Sequence, residues 1–241
     1  ACSPDCHHSH HHGAKHIYIY SPSSAVRDKA AFRRGVARLK ALGHEVEIDE
    51  AALSSHMRFA GDDATRLAAI GRAAASGAQV ALISRGGYGL TRLLDRIDWK
   101  RIARSVERGT RWVGYSDLTA LQMALLAHTG APSWCGPMAA ADFGAEVPDE
   151  VTPDCFAEAM HGELEAVGFR TEPGFDGLDT QGVLWGGNLT VLMSLLGTPH
   201  WPQVKGGILF LEDVAEHPYR VERMLLQLQQ AGVLARQKAV V

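Results

Sequence analysis

Ser116 stands where strand-like sequence gives way abruptly to helix-like sequence, within Trp112-Val113-Gly114-Tyr115-Ser116-Asp117-Leu118-Thr119-Ala120-Leu121. Arg111 to Val113 reads as a short strand, and Gly114 tolerates the backbone a sharp turn requires. Leu118, Leu121 and Leu125 then recur at helical spacing until Gly130, a helix stop. A serine at this junction presents its hydroxyl at a helix N-terminus, where unpaired N–H groups and the helix dipole favour developing negative charge. The hydrolase elbow G-x-S-x-G works by the same mechanics. Here the flanks are Gly114-Tyr115-Ser116-Asp117-Leu118, without the second glycine. Simple helix capping by Ser116 is the alternative this segment leaves open.

Two further segments carry chemistry. Val80 to Ser84 reads as a buried parallel strand running into Arg85-Gly86-Gly87-Tyr88-Gly89, a tight loop with exposed amides. Such a loop at a strand's carboxyl end can donate a backbone N–H to an oxyanion, with the Asp117 amide as second donor. A phosphate cradle is the rival. It lacks the lysine and Ser/Thr of a P-loop and the G-x-G-x-x-G order of a dinucleotide site. In Gly206-Gly207-Ile208-Leu209-Phe210-Leu211-Glu212-Asp213 an apolar strand ends at two acids. Alternation along a strand lets only one of them face a site and orient a catalytic base. Asp213 as a cap and Glu216 in a first helical turn are the plainer readings. The following helix starts near Pro218, with Val221, Met224, Leu225 and Leu228 on one face, expected to be core.

In this order, these segments resemble the LD-carboxypeptidase family of serine peptidases. The resemblance also rests on Tyr20-Ser21-Pro22-Ser23, Gly136-Pro137-Met138, Gly182-Val183-Leu184-Trp185-Gly186-Gly187-Asn188-Leu189 and Glu216 to Leu225. It runs from about residue 16 to the end. It implies a muramoyl-tetrapeptide carboxypeptidase that removes terminal D-alanine from cytoplasmic cell-wall peptides. Ser116 then matches the nucleophile and Glu212 the acid that orients the histidine, with Gly86, Gly87 and the Asp117 amide as the oxyanion hole. The family's histidine lies in a C-terminal Phe-Gly-His segment that these 241 residues do not contain. The expectation is therefore an incomplete C-terminal part, with His217 as a remote substitute base. Arg85, Trp185 and Asn188 are the substrate-binding candidates, with Arg220 and Arg223 as further cations. A related immunity peptidase cleaving a peptide-nucleotide antibiotic is one alternative. A catalytically dead binding protein is the other. A homodimer follows from the resemblance alone.

The elements that must position these residues alternate: strand Ile17–Tyr20, helix from about Arg27 to Leu42, strand Glu45–Ile48, helix Ala64–Ala75, strand Val80–Ser84, strand Arg111–Tyr115 with its helix, and a short strand near Trp134. This order predicts an α/β fold, a mostly parallel sheet flanked by helices with right-handed crossovers. By type it is flavodoxin-like or class I amidotransferase-like, with a smaller, incomplete C-terminal α/β domain. The expected division is a His-rich tail at 1–13, an N-terminal domain at 14–145, a connection at 146–181 and a C-terminal domain at 182–241.

The net charge of -3 and the absence of basic runs argue against nucleic acid. No apolar stretch has the length of a membrane span and the N-terminus lacks a signal-peptide pattern, so a cytoplasmic location is expected. Cys135 and Cys155 are expected to be unpaired. Cys2, Cys6, His7, His8 and His10 to His12 are too crowded for a fixed tetrahedral metal site, and no cofactor is expected.

Overall fold

The computed structural model describes residues 13–146, 183–213 and 216–241. The His- and Cys-rich segment and Cys155 lie outside the described residues. Four strands, β1 (His16–Tyr20), β2 (Glu45–Ile48), β3 (Val80–Ile83) and β4 (Arg111–Val113), form a parallel sheet in the order β2-β1-β3-β4. Its helices are α1 (Lys29–Ala41), α2 (Asp63–Ala75), α3 (Trp99–Glu107) and α4 (Leu118–Thr129). Asp28, Asp62 and Asp98 begin the first three, each accepting from an amide of the first turn at Ala31, Thr65 and Arg101. Such caps satisfy donors that would otherwise be orphaned at the helix start. Gly130, with φ of 74°, ends α4.

Alternation on β1 explains why both sheet faces are covered. Ile17 and Ile19 join Val80, Leu82 and Val113 in one core, while Tyr18 and Tyr20 join Ala81, Ile83 and Trp112 in the other. Helices on both faces bury both sets, as parallel sheets require. The strand expected near Trp134 is a parallel bridge to Val113. The helix Trp99–Glu107, not expected from sequence, buries Ile102 and lies against α2 and α4.

A second parallel sheet, in the order β5-β6-β7, contains β5 (Leu184–Asn188), β6 (Ile208–Glu212) and β7 (Ala239–Val240). It carries α5 (Leu189–Leu195) and α6 (Pro218–Gln230). It does not form a separate core: Trp185, Leu189, Leu192 and Leu209 share one hydrophobic cluster with Trp112 and Leu121. The stripe on α6 departs from expectation. Only Leu228 is fully buried, while Val221 and Met224 pack half-buried against that cluster and Leu225 is also half-exposed. Among the described residues no helix is long and apolar enough to cross a membrane.

Candidate active site

The turn from β4 into α4 puts Ser116 in an unusual backbone conformation. Its φ is 60°, and among the described residues only Met57 shares a positive φ without being glycine. A left-handed serine costs roughly 1–2 kcal/mol, which the fold must hold in place. It does so from both sides. Ahead of the turn, the Gly114 amide donates to the Trp134 carbonyl at 3.2 Å, and Gln122 Nε2 donates to the Gly114 carbonyl at 3.3 Å. Behind it, the Ser116 carbonyl accepts from the Thr119 amide at 3.0 Å and so opens the helix.

The glycine loop after β3 closes over the serine. A Cβ placed on Gly86 would stand 3.0 Å from Ser116 Oγ and 3.5 Å from the Asp117 nitrogen, so Gly86, the nucleophile and the Asp117 amide share one small space. Gly87 adopts φ of 97°, and a Cβ there would lie 2.1 Å from Ser24 Oγ. Among the described residues the amides of Gly86, Gly87 and Asp117 donate to no protein acceptor. These are the three amides expected to stabilise an oxyanion.

Asp117 has a second role that its amide did not reveal. Its buried carboxylate is not a helix cap; Oδ2 accepts from Ser23 Oγ at 2.6 Å and from the Leu90 amide at 3.1 Å. It therefore ties the loop after β1 to the far end of the glycine loop. Burial pushes this carboxyl above the usual range, while Ser23, Leu90 and Arg66 pull it back. Ser24 completes the brace: its amide donates to the Gly86 carbonyl at 3.2 Å, and its Oγ accepts from the Tyr88 amide at 3.0 Å.

Glu212 ends β6, which pairs with β5, the strand that packs against α4. In the β5–β6 register Asn188 lies opposite Glu212, and the Asn188 amide donates at 3.1 Å to Thr119 Oγ1, three residues past Ser116. Glu212 Oε1 is buried and has no hydrogen-bond partner among the described residues. Burial raises its carboxyl. Burial likewise raises the Tyr115 phenol, with Asp142 and then the Glu212 charge adding to it, and burial with a smaller push from Glu212 takes the Cys135 thiol up to about 12. Asp213, just past the end of β6, is exposed.

The remaining candidates separate. Arg85 is half-buried and donates through Nη1 to the Ala25 carbonyl at 3.1 Å. Trp185 is not a cleft wall: it is 1% exposed, meets Trp201 edge-on, and donates to Gln237 Oε1 at 2.9 Å. Asn188 caps α5 with its side-chain oxygen. His217 is exposed at the entrance of α6 against the Tyr219 ring, Arg220 pairs with Glu216, and Arg223 lies over Tyr219. Sequence reasoning missed Arg66. Its fully buried guanidinium donates to the carbonyls of Pro22 and Gly89 at 3.0 and 2.9 Å, clamping both loops beside Ser116. The available signal was its register: Arg66 lies on the same helical face as Ala69, Ile70 and Ala73. Among the described residues no group of three or more His, Cys, Asp or Glu side chains could hold a metal.

Comparison with known proteins identifies the family. The LD-carboxypeptidase N-terminal domain family matches residues 17–136, and the LD-carboxypeptidase C-terminal domain family matches residues 181–241. A Bacillus subtilis protein named "probable murein peptide carboxypeptidase" is 35% identical over 206 residues; the match takes in 81% of this chain and 61% of that protein's length. The crystal structure of muramoyltetrapeptide carboxypeptidase from Oxalobacter formigenes superposes with a TM-score of 0.78 at 40% identity, covering 93% of this chain and 74% of that one. The wild-type microcin C7 self-immunity protein MccF has the same fold, with a TM-score of 0.79 at 22% identity over 93% of this chain and 76% of its own.

Proposed function

Because the chain belongs to the LD-carboxypeptidase family, we propose that it is a serine carboxypeptidase that hydrolyses the L,D-peptide bond before the terminal D-alanine of murein tetrapeptides. The names of its relatives from Bacillus subtilis and Oxalobacter formigenes support this substrate class. The observation that carries the chemistry is the strained Ser116, with φ of 60°, packed against Gly86 and the Asp117 amide.

In this reading Ser116 Oγ attacks the carbonyl carbon of the scissile bond. The developing oxyanion enters the space lined by the Gly86, Gly87 and Asp117 amides, which need no reorganisation to receive it. D-Alanine leaves with a proton on its nitrogen, and water then releases the acyl group from Ser116. The base is a histidine of the Phe-Gly-His type that the family resemblance implies, oriented by Glu212. The open acceptor at Glu212 Oε1 is where its ring N–H would bond. Cytoplasmic action on recycled peptides and a homodimeric state complete the proposal; both rest on the family resemblance.

The test is D-alanine release from a muramoyl tetrapeptide by this protein and by Ser116→Ala at equal concentration. Release is expected to fall by about four to six orders of magnitude in the variant. Equal release from both proteins would overturn the assignment of the nucleophile.

A further inference from the structure

A cavity of about 390 Å³ lies beside the glycine loop, between the N-terminal half of α1 and the turn at residues 140–146. Three arginines reach it from separate segments: Arg27 from the turn ahead of α1, Arg34 from α1, and Arg85 from the end of β3. Each is held by one backbone carbonyl. Arg27 Nη2 donates to Met57 at 2.6 Å, Arg34 Nε to Gly144 at 3.0 Å, and Arg85 Nη1 to Ala25 at 3.1 Å. Among the described residues these bonds fix the guanidinium groups while leaving most of their five N–H donors unused.

None of the three forms an ion pair among the described residues, whereas Arg66, Arg72, Arg92 and Arg220 each pair with a carboxylate. Two acids line the cavity. Asp28 is committed to capping α1 through the Ala31 amide, and Glu146 is exposed. Three cations around one cavity repel one another, Asp28 and Glu146 offset only part of that charge, and an anion with several oxygens relieves the rest. The volume falls within the range of ligand pockets. Arg85 links the cavity to the reaction centre, because it precedes Gly86 and its Nη2 lies 3.4 Å from where a Cβ on Gly87 would stand.

We propose that this cavity is an oxyanion subsite in which Arg27, Arg34 and Arg85 take a carboxylate or phosphate carried by an extended substrate, away from the scissile bond. The extended-substrate part rests on the peptidase reading; the affinity for anions does not.

The test is calorimetric titration of the Ser116→Ala protein, which prevents turnover, and of the same protein carrying Arg27→Gln and Arg34→Gln. The probes are a murein tetrapeptide, its analogue with the acyl-side carboxylates amidated, and inorganic pyrophosphate. Tetrapeptide affinity is expected to fall about tenfold or more per arginine removed, with amidated peptide binding weakly to both proteins. That result identifies a substrate carboxylate as the ligand. Pyrophosphate binding that depends on the arginines, with tetrapeptide binding indifferent to them, identifies a phosphate source instead. Pyrophosphate binding with no tetrapeptide binding at all leaves the subsite standing and removes the peptidase reading. Unchanged affinity for every probe overturns the subsite, and the peptidase reading survives if tetrapeptide still binds. The lysine pair Arg27→Lys and Arg34→Lys keeps the charges and is expected to recover most of the affinity. Should the glutamine pair fail to fold, the folded lysine pair set against Arg27→Gln alone decides the question by the same criterion.

Discussion

Replacing Gly86 by alanine tests the oxyanion site at its tightest point. The added Cβ would stand 3.0 Å from both Ser116 Cβ and Ser116 Oγ, against the roughly 3.5–4.0 Å at which carbon contacts are comfortable. Something must therefore give by a few tenths of an ångström. Neither side is free to do so. Ser116 is held between β4 and α4, and the glycine loop is held by Ser24 and by the Leu90–Asp117 bond. The displacement falls on the nucleophile and the amides that should receive the oxyanion. A misplacement of this size, added to a weakened donor, is expected to lower kcat about a hundredfold or more. Overpacking costs roughly 1–3 kcal/mol, and about 0.4–1 kcal/mol returns through the stiffer unfolded chain, so the net loss of stability is at most about 2.6 kcal/mol. Gly87→Ala is the control, since its φ of 97° and a contact of 2.1 Å with Ser24 Oγ strain the backbone as well. That variant should lose both activity and roughly 1–3 kcal/mol of stability. The assay is D-alanine release followed with D-amino-acid oxidase, alongside urea midpoints for both variants. Turnover of Gly86→Ala within twofold of the unmodified protein, at an unchanged midpoint, would refute the placement of the oxyanion beside Gly86.

Two further changes separate stability from catalysis. Glu212→Gln is expected to abolish most turnover yet stabilise the fold, because it removes a buried carboxylate oxygen without a donor. Burial raises this group, so the folded chain holds its proton to higher pH than the unfolded one. Its contribution to stability is thus complete below about pH 4, the unfolded carboxylate range, and is lost as pH rises through the folded value. The advantage of glutamine should accordingly be absent near pH 4 and grow toward neutrality, as urea midpoints at several pH values would reveal; a constant or negative difference would count against a buried, unpaired Glu212. Asp117→Ala leaves Ser23 Oγ and the Leu90 amide without their acceptor, and is expected to cost about 2–4 kcal/mol in urea unfolding. A loss of less than about 1 kcal/mol would mean that the carboxylate does not brace the two loops.

Much of the frame was legible in the chain because its signals are local. Aspartates three residues ahead of first-turn amides start α1 and α2, two helices the sequence predicts, and the period-2 alternation of Ile17, Tyr18, Ile19 and Tyr20 needs no partner to be read; α3 carries the same cap at Asp98 but is not among the predicted helices. The strand–Gly–x–Ser–helix order around Ser116 likewise announces an exposed hydroxyl at a helix start, and the positive φ is its physical expression. Alternation at the end of β6 limits a site to one of Glu212 and Asp213, and the family resemblance, not the alternation, selects Glu212.

What only tertiary structure decided was the use of each face. Trp185 has the composition of a cleft wall, but the second sheet packs onto α4 through Gly186 and Asn188, and this turns the indole into the shared core beside Trp201. Arg66 has the composition of a surface cation, but two loops distant in sequence bring the Pro22 and Gly89 carbonyls to it. The stripe on α6 has the period of a core helix and is only partly covered. Periodicity states that a face is apolar or charged; which element covers it depends on long-range packing, and a single residue's sequence neighbours carry no record of that choice.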